Sequence, residues 1–392
     1  MKSKKIAVIT SHPIQYQTPF FRYFSKQPEI DLLVYFCWNF GVKKTYDEQF
    51  GRELIWDIPM IEGYRHKFLR NFSPKPSSKF FGQINPGMLL DLIKNKHDAI
   101  LIYGWNSLTN WLAFFTALIL KTPVFLQGEN PLNQELLKNH LKIRIKKIVL
   151  GNLFKIIKGF MCIGEENRNF YRYYGVPERK LFFAPYAVDN ERFFRQREVL
   201  RAKKEEYKKE LGIRPEKTVV LFVGKLIEKK RPMDLLRAFQ GINSTRKALV
   251  FVGDGALRET LERHAKEKNI QDVYFVGFKN QTELGRYYMM ADIFVLPSGP
   301  GETWGLVVNE AMCFGLPVIV SDVVGCGPDL VRQNENGFVF TLGKIDELAT
   351  YLNLLASEPA TRNSFGRKSL EIIGRYSYEK IAEGILSALR FS

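Results

Sequence analysis

Nine short runs of this sequence are almost wholly apolar and do not alternate with polar residues. They are Ile6–Thr10 (IAVIT), Ala99–Tyr103 (AILIY), Val124–Leu126, Gly159–Ile163, Val219–Val223 (VVLFV), Ala248–Val252 (ALVFV), Val273–Val276, Ile293–Leu296 and Val318–Val320. A strand that is apolar on both sides must be covered on both faces, which is the condition of a parallel sheet between helix layers. Helix-length segments separate the runs, so the pattern predicts an α/β chain. The runs form two series, one from residue 1 to about 190 and one opening near Val219. The charged stretch between them, Arg195–Glu210, reads as a linker followed by an exposed helix. A length of 392 residues accommodates two or three domains.

Charge narrows the partners. Lys plus Arg is 58 and Asp plus Glu is 41, a net +17. Residues 1–190 hold 27 basic and 15 acidic residues, and the remainder 31 and 26, so the excess sits mainly in the first half. Such a balance attracts an anionic partner: a nucleotide, a lipid surface or nucleic acid. Cys37, Cys162, Cys313 and Cys326 lie far apart with no CxxC, which fits reduced thiols in the cytoplasm and neither a zinc ribbon nor a disulfide framework. The apolar stretch at Ile6–Thr10 is too short for a signal peptide, and the longest apolar run, Leu112–Leu120, is half a membrane span. A soluble chain is expected, with the option of sitting on a membrane.

Glycine closes strand after strand in the second half: Val223-Gly224, Val252-Gly253-Asp254-Gly255 and Val276-Gly277. Open parallel sheets bind ligands at the carboxyl ends of their strands, and glycine there permits close approach. Each alone could be an ordinary βα turn; three in series favour a nucleotide site. The pattern is not GxGxxG, which argues against a nicotinamide cofactor. Lys225 and Lys230 follow Gly224, where they could reach a diphosphate, with Lys229 and Arg231 able to substitute. The plainer reading is a solvated basic turn.

The segment PSGPGETWGLVVNEAMCFGLPVIVSD, Pro297–Asp322, carries the most information. A strand ends at Pro297-Ser298 and a glycine-rich loop leads to Glu302. A helix is expected to start near Thr303, which can cap it, and to stop at Gly315. Its apolar residues occupy nearly every face, so the helix is expected to be largely buried. Glu310 is the one charged residue between Thr303 and Ser321, and a carboxylate in such surroundings needs a partner. That partner is either a core Lys or Arg or the two hydroxyls of a ligand diol.

These residues resemble the retaining glycosyltransferases of family 4, a GT-B-fold group. The resemblance rests on VGKLIEKKRP, VGDG, VYFVGF, ADIFVLPS, the E-x7-E pair Glu302/Glu310 and SDVVGCGPDLV, with SHPIQYQTPFFRYF, GWNSLTNWLAFF, QGEN and YYGVPERKLFFAPYAVDNERF in the first half. It implies two Rossmann-like domains facing each other across a cleft. The first would span 1–190, with a C-terminal helix, 376–392, packing back on it, and the second 191–375. In that scheme Glu310 bonds the ribose hydroxyls and Glu302 faces the donor sugar. Lys225 and Lys230 hold the diphosphate, although many relatives have Arg at the first position and Lys lacks its bidentate fork. Gly301 and the N–H groups of Thr303, Trp304, Gly305 and Leu306 complete a cradle beside Gly224, Gly253, Gly255 and Pro297, while Phe278 borders the base. His12, with Gln15 and Tyr16, would line the meeting place of donor and acceptor, or serve only in packing. Glu129 of QGEN would contact donor or acceptor, or be a simple loop carboxylate. The stretch Gly41–Pro86 is expected on the acceptor side.

The implied reaction moves a sugar, with retention, from a nucleoside-diphosphate sugar to a saccharide or lipid-linked saccharide acceptor in surface polysaccharide or glycoconjugate synthesis. No D-x-D occurs, so lysines and backbone are expected to replace a metal ion, and no cofactor beyond the donor is expected. A sugar-nucleotide epimerase on the same fold is the alternative. A nucleic-acid binder is disfavoured because no RRM, KH or helix-turn-helix signature accompanies the charge. Lys138–Lys158 carries seven basic residues, with no acid from Leu136 to Gly164, and Leu137, Leu141, Ile145 and Ile148 follow helical spacing, interrupted near Gly151. This is either a basic amphipathic helix lying on anionic lipid at the inner face of the cytoplasmic membrane or the solvated face of a core helix.

Overall fold

The computed structural model describes residues 3–42, 44–47 and 51–391. The chain divides into two compact units. Unit 1 comprises Met1–Thr45, Leu54–Tyr186 and Tyr378–Ser392; unit 2 comprises Tyr46–Glu53 and Ala187–Ser377.

In chain order the first half forms strands β1 (Lys4–Thr10), β2 (Ile30–Phe36), β3 (Thr45–Asp47), β4 (Arg52–Leu54), β5 (His66–Phe68), β6 (Ala99–Tyr103), β7 (Val124–Gln127), β8 (Gly159–Cys162) and β9 (Leu181–Phe183). Its helices are α1 (Thr18–Phe24), α2 (Gly87–Asn95), α3 (Leu108–Ile119), α4 (Leu132–Glu135), α5 (His140–Ile156) and α6 (Glu165–Tyr173). Seven of the strands make one sheet in the order β5-β2-β1-β6-β7-β8-β9, and β3 pairs with β4 in a two-stranded sheet. The described pairings of the large sheet are all parallel. Strand order reverses between β1 and β6, the switch point at which open α/β sheets leave room for a ligand.

The second half continues with α7 (Asn190–Leu200), α8 (Lys204–Glu210), β10 (Thr218–Val223), α9 (Pro232–Gln240), β11 (Lys247–Val252), α10 (Arg258–Glu267), β12 (Val273–Phe275), α11 (Leu284–Met290) and β13 (Ile293–Leu296). It ends with α12 (Leu306–Cys313), β14 (Val318–Ser321), α13 (Gly327–Leu330), β15 (Gly337–Phe340), α14 (Ile345–Ser357), α15 (Pro359–Ile373) and α16 (Tyr378–Phe391). Six parallel strands pair in the order β12-β11-β10-β13-β14-β15, reversing between β10 and β13. Both sheets are thus Rossmann-like. The central strands are buried at every position: TVVLFV of β10 and VIVS of β14 have no exposed residue.

Helix α16 belongs to unit 1. Ile381, Ala382, Ile385, Ala388 and Leu389 are buried, Tyr378 packs on Phe20 with ring centroids 5.9 Å apart, and Lys4 Nζ donates to the Leu389 carbonyl at 2.7 Å.

Two expectations need correction. Arg195–Leu200 is not a linker: it lies inside α7, whose first turn is capped by Asp189 accepting from the Arg192 N–H at 3.0 Å. Nor is α8 simply exposed, because Lys208 is buried and its ammonium donates to Asp292 at 3.2 Å and to the Lys217 carbonyl at 2.8 Å. The segment Tyr46–Glu53, expected with the first half, groups with unit 2. Residues 43 and 48–50 of the Gly41–Pro86 stretch lie outside the described residues. Among the described residues no helix is long and apolar enough to cross a membrane.

Candidate functional site

In unit 2 the switch point between β10 and β13 gathers charge. The chain leaves β10 through Gly224 and makes a 3-10 turn at Glu228–Lys230. Beside it, β13 ends at the buried Pro297-Ser298, and the loop runs on to Glu302. Lys230 Nζ and Glu302 Oε2 form an ion pair, and Ser298 Oγ donates to the same carboxylate oxygen at 3.1 Å. The loops are tied together, since the Gly299 N–H donates to the Lys229 carbonyl at 2.8 Å. Gly301 is exposed and lies against the Lys229 side chain. Glu302 is only 8% exposed. Its burial alone would raise the carboxyl pKa, but the ammonium groups of Lys230 and Lys229 and the bonds from Lys230 and Ser298 outweigh this and hold it below the ordinary range.

The helix after this loop starts three residues later than expected. Thr303 does not cap it. Gly305 occupies the N-cap position with φ 103°, and α12 begins at Leu306. A side chain at 305 would need the left-handed backbone and would press on Leu296 at 2.8 Å, so the sharp entry depends on glycine. The Trp304 indole turns inward, buried, and donates to Asn309 at 2.9 Å. The N–H groups of Leu306 and Val307 have no acceptor among the described residues, as expected of a helix start. Such groups favour an anion.

Glu310 sits on α12 and is fully buried. Tyr288 Oη, from α11, donates to its Oε2 at 2.6 Å. Neither a core Lys nor a core Arg is the neighbour shown by this bond; a tyrosine fills that place.

The strand-end glycines form a backbone tier. The Gly224 N–H donates to the Val252 carbonyl and the Gly253 N–H to the Gly277 carbonyl, both at 2.9 Å. A Cβ at Gly253 would lie 1.9 Å from the Gly224 carbonyl oxygen, and one at Gly255 2.6 Å from that of Leu226. These two glycines are therefore required by loop-on-loop packing. Phe278, half-buried, follows directly on the tier. Lys225 Nζ bonds both oxygens of Asp47, at 3.1 and 3.0 Å. Arg231 is paired with Asp234 at 2.5 Å.

In unit 1, His12 follows β1 at the switch point of that sheet. Its Nδ1 lies 2.9 Å from Ser11 Oγ, and the rings of Trp38 and Phe40 meet it edge-on at 5.7 and 5.3 Å. Burial lowers its pKa to about 4, so the imidazole is neutral near neutral pH. Gln15 and Tyr16 are half-buried in the same loop. Glu129, two residues past β7, accepts a hydrogen bond from Tyr186. Burial first, then Glu129, pushes the phenols of Tyr103 and Tyr186 up.

The family model described as glycosyl transferases group 1 matches residues 203–371. That is 169 of the 392 residues, and the matched stretch holds the whole Lys230–Glu302–Glu310 arrangement. The chain is 33% identical over 168 residues to sulfoquinovosyl transferase SQD2 of Arabidopsis thaliana, covering 42% of this chain and 31% of that protein. It is 30% identical over 239 residues to D-inositol 3-phosphate glycosyltransferase of Rhodococcus jostii strain RHA1, covering 58% of this chain and 51% of that protein. The matched stretches thus span a third to a half of these relatives. Among solved structures, Anabaena HepE in complex with UDP superposes with TM-score 0.75 at 17% identity, covering 99% of both chains. A glycosyltransferase from Rickettsia africae gives TM-score 0.75 at 13% identity, covering 100% of this chain and 98% of that one. These likenesses show the fold, which is GT-B.

Ser298, Tyr288, Asp47 and Tyr186 carry contacts that reading the sequence did not assign. Ser298 stood beside the glycine-rich loop and was open to suspicion; Asp47 lies 178 positions from Lys225, with no local signal.

Proposed function

We propose that this protein is a retaining, metal-independent glycosyltransferase that moves a sugar from a nucleoside-diphosphate sugar to a saccharide or lipid-linked saccharide acceptor in the cytoplasm. The observation that carries the reading is the Lys230–Glu302 pair at the β10/β13 switch point, next to the start of α12. The bond from the anomeric carbon to the diphosphate breaks, and the acceptor oxygen bonds that carbon on the same face. The acceptor proton passes to an oxygen of the leaving phosphate. Charge grows on the diphosphate as it departs. Lys229, Lys230 and the N–H groups of Leu306 and Val307 are fixed donors suited to that charge, and preorganised electrostatics of this kind commonly contributes more to catalysis than any other single effect. Glu302 stays ionised because of the two ammonium groups, so it can accept hydrogen bonds from sugar hydroxyls. Glu310 would turn its carboxylate to the ribose, with Tyr288 holding it. Lys225 would reach the diphosphate on release from Asp47. Neutral His12 and Glu129, steadied by Tyr186, are assigned to the acceptor side.

The test is release of nucleoside diphosphate from UDP-, GDP- and TDP-sugars, with and without a panel of saccharide and lipid-linked acceptors, in the presence of a chelator. Acceptor-dependent release that survives chelation and is lost in Glu302→Gln supports the reading. Conversion of the donor sugar without any acceptor would replace it by an epimerase, and dependence on a divalent cation would overturn the metal-independent part.

A further inference from the structure

Unit 1 presents an apolar, basic face to solvent. Helices α2, α3, α5 and α6 pack on one side of its sheet, because Leu92, Phe114, Leu150, Phe154 and Phe170 join a single core cluster. On α5 the inward residues are Ile143, Leu150, Leu153 and Phe154. The stripe on the opposite side is bare: Leu141, Ile145 and Ile148 are between 56% and 69% exposed. Over the same sheet face, Leu118 and Ile119 of α3 and Leu90 and Ile93 of α2 are also at least half exposed. Single exposed apolar residues are ordinary; a series along three helices over one sheet face is a patch that marks an interaction surface.

Cations frame the stripe. At 100° per residue, Lys142 falls on one side of it and Arg144, Lys147 and Lys155 on the other. No acid occurs between Leu136 and Gly164. Lys142, Arg144 and Lys158 have no carboxylate partner among the described residues. Beside Ile148 lies a hollow of about 610 Å³ walled by Lys147, Lys155, Arg179, Lys180 and Tyr174, with no carboxylate in its lining. Glu178, next to Arg179, is occupied by Arg168 and Arg172. Burial, then Arg179 and Lys158, depress the Lys180 ammonium, as expected where cations gather without a counter-ion.

We propose that this face docks on an anionic bilayer. The Leu141–Ile145–Ile148 stripe enters the boundary between headgroups and acyl chains, and the hollow beside Ile148 takes a lipid phosphate. An amphipathic helix with basic flanks binds in the interface plane by apolar burial and by attraction to anionic lipid. A second copy of this chain is the poorer occupant, because the half that carries the face has a net charge of +12 and would repel itself. The inference stands whether or not the donor reading holds, since it concerns binding alone.

The experiment is co-sedimentation of the full chain at low salt with vesicles of phosphatidylcholine, or of an equal mixture of phosphatidylcholine and phosphatidylglycerol. At least about tenfold tighter binding to the mixed vesicles is expected, because each basic residue near an anionic surface adds to the attraction. Ile145→Glu with Ile148→Glu should abolish pelleting with an unchanged melting temperature, because both side chains are already exposed. Lys155→Ala with Arg179→Ala should weaken it about tenfold. Equal binding to the two vesicle types, no pelleting, or unaltered binding of either double variant would overturn the proposal. So would a parent dimer in sedimentation equilibrium that Ile145→Glu with Ile148→Glu dissociates.

Discussion

Lys230 and Glu302 come from two different strand-end loops, 72 positions apart, and form an ion pair at the point where the strand order of the second sheet reverses. Their side chains are 16% and 11% exposed, so water screens the pair little. Removing Lys230 strips a nearly buried carboxylate of its ion-pair partner, leaving the Lys229 ammonium and the Ser298 hydroxyl near it.

Lys230→Ala should therefore lower stability by about 2–3 kcal/mol, below the about 3–5 kcal/mol of a wholly uncompensated buried charge because Lys229 and Ser298 remain. The double variant Lys230→Ala with Glu302→Gln should regain much of that loss, because no orphan charge remains, yet recover no turnover. Urea unfolding of the single and double variants, alongside donor-release kinetics, separates the two effects.

Acid should weaken the fold from two sides. Glu302 is held below the ordinary carboxylate range, so its stabilisation is present above the unfolded value and is lost as pH falls through the folded one. His12 has its pKa lowered from 6.5 to about 4, so the unfolded chain takes up a proton that the folded chain refuses between those values. Stability should begin to fall below about pH 6.5. Unfolding free energies across pH 4 to 7 should show a shallower slope for His12→Gln than for the parent.

Tyr288→Phe removes the donor to Glu310 Oε2 without changing the ring. A loss of about 1–3 kcal/mol is expected for depriving a buried carboxylate of that bond. Donor affinity should fall as well if Glu310 serves the ribose. Thermal shift with and without UDP measures both, since a ligand that binds the native state raises the melting temperature.

Two glycines should respond oppositely to alanine. Gly253→Ala drives a Cβ into the Gly224 carbonyl at 1.9 Å from a backbone with φ 138° and should prevent a normal fold of the glycine tier. Gly151→Ala, inside α5 with nothing within 4 Å, should stabilise by about 0.5–1 kcal/mol. Melting temperatures of the two variants decide the matter.

The nine apolar runs all coincide with strands because burial on both faces leaves a mark in composition alone. Ile30–Phe36 escaped notice although it pairs with β1 along its whole length. Its burial alternates at first, and Asp31 breaks the run. Leu181–Phe183 and Gly337–Phe340 were also passed over, although runs as short as Val318–Val320 were read as strands. Glu302 and Lys230 could each be singled out because each stands in a marked local segment, after the strands that end at Leu296 and Val223, but their pairing across 72 positions could not. The site was not legible where a partner arrives through folding, as Asp47 does for Lys225 and Tyr288 for Glu310. Thr303 looked like a cap by residue type, but the positive φ at Gly305 moved the helix start.

Helix α16 lies at the far end of the chain, yet its buried side belongs to unit 1, while the 191 residues from Ala187 to Ser377 build unit 2. A ribosome making this protein therefore delivers Ala187–Ser377 before it delivers α16. Unit 1 stays incomplete until Phe391 has cleared the exit tunnel, so its core cannot close before unit 2 has been translated.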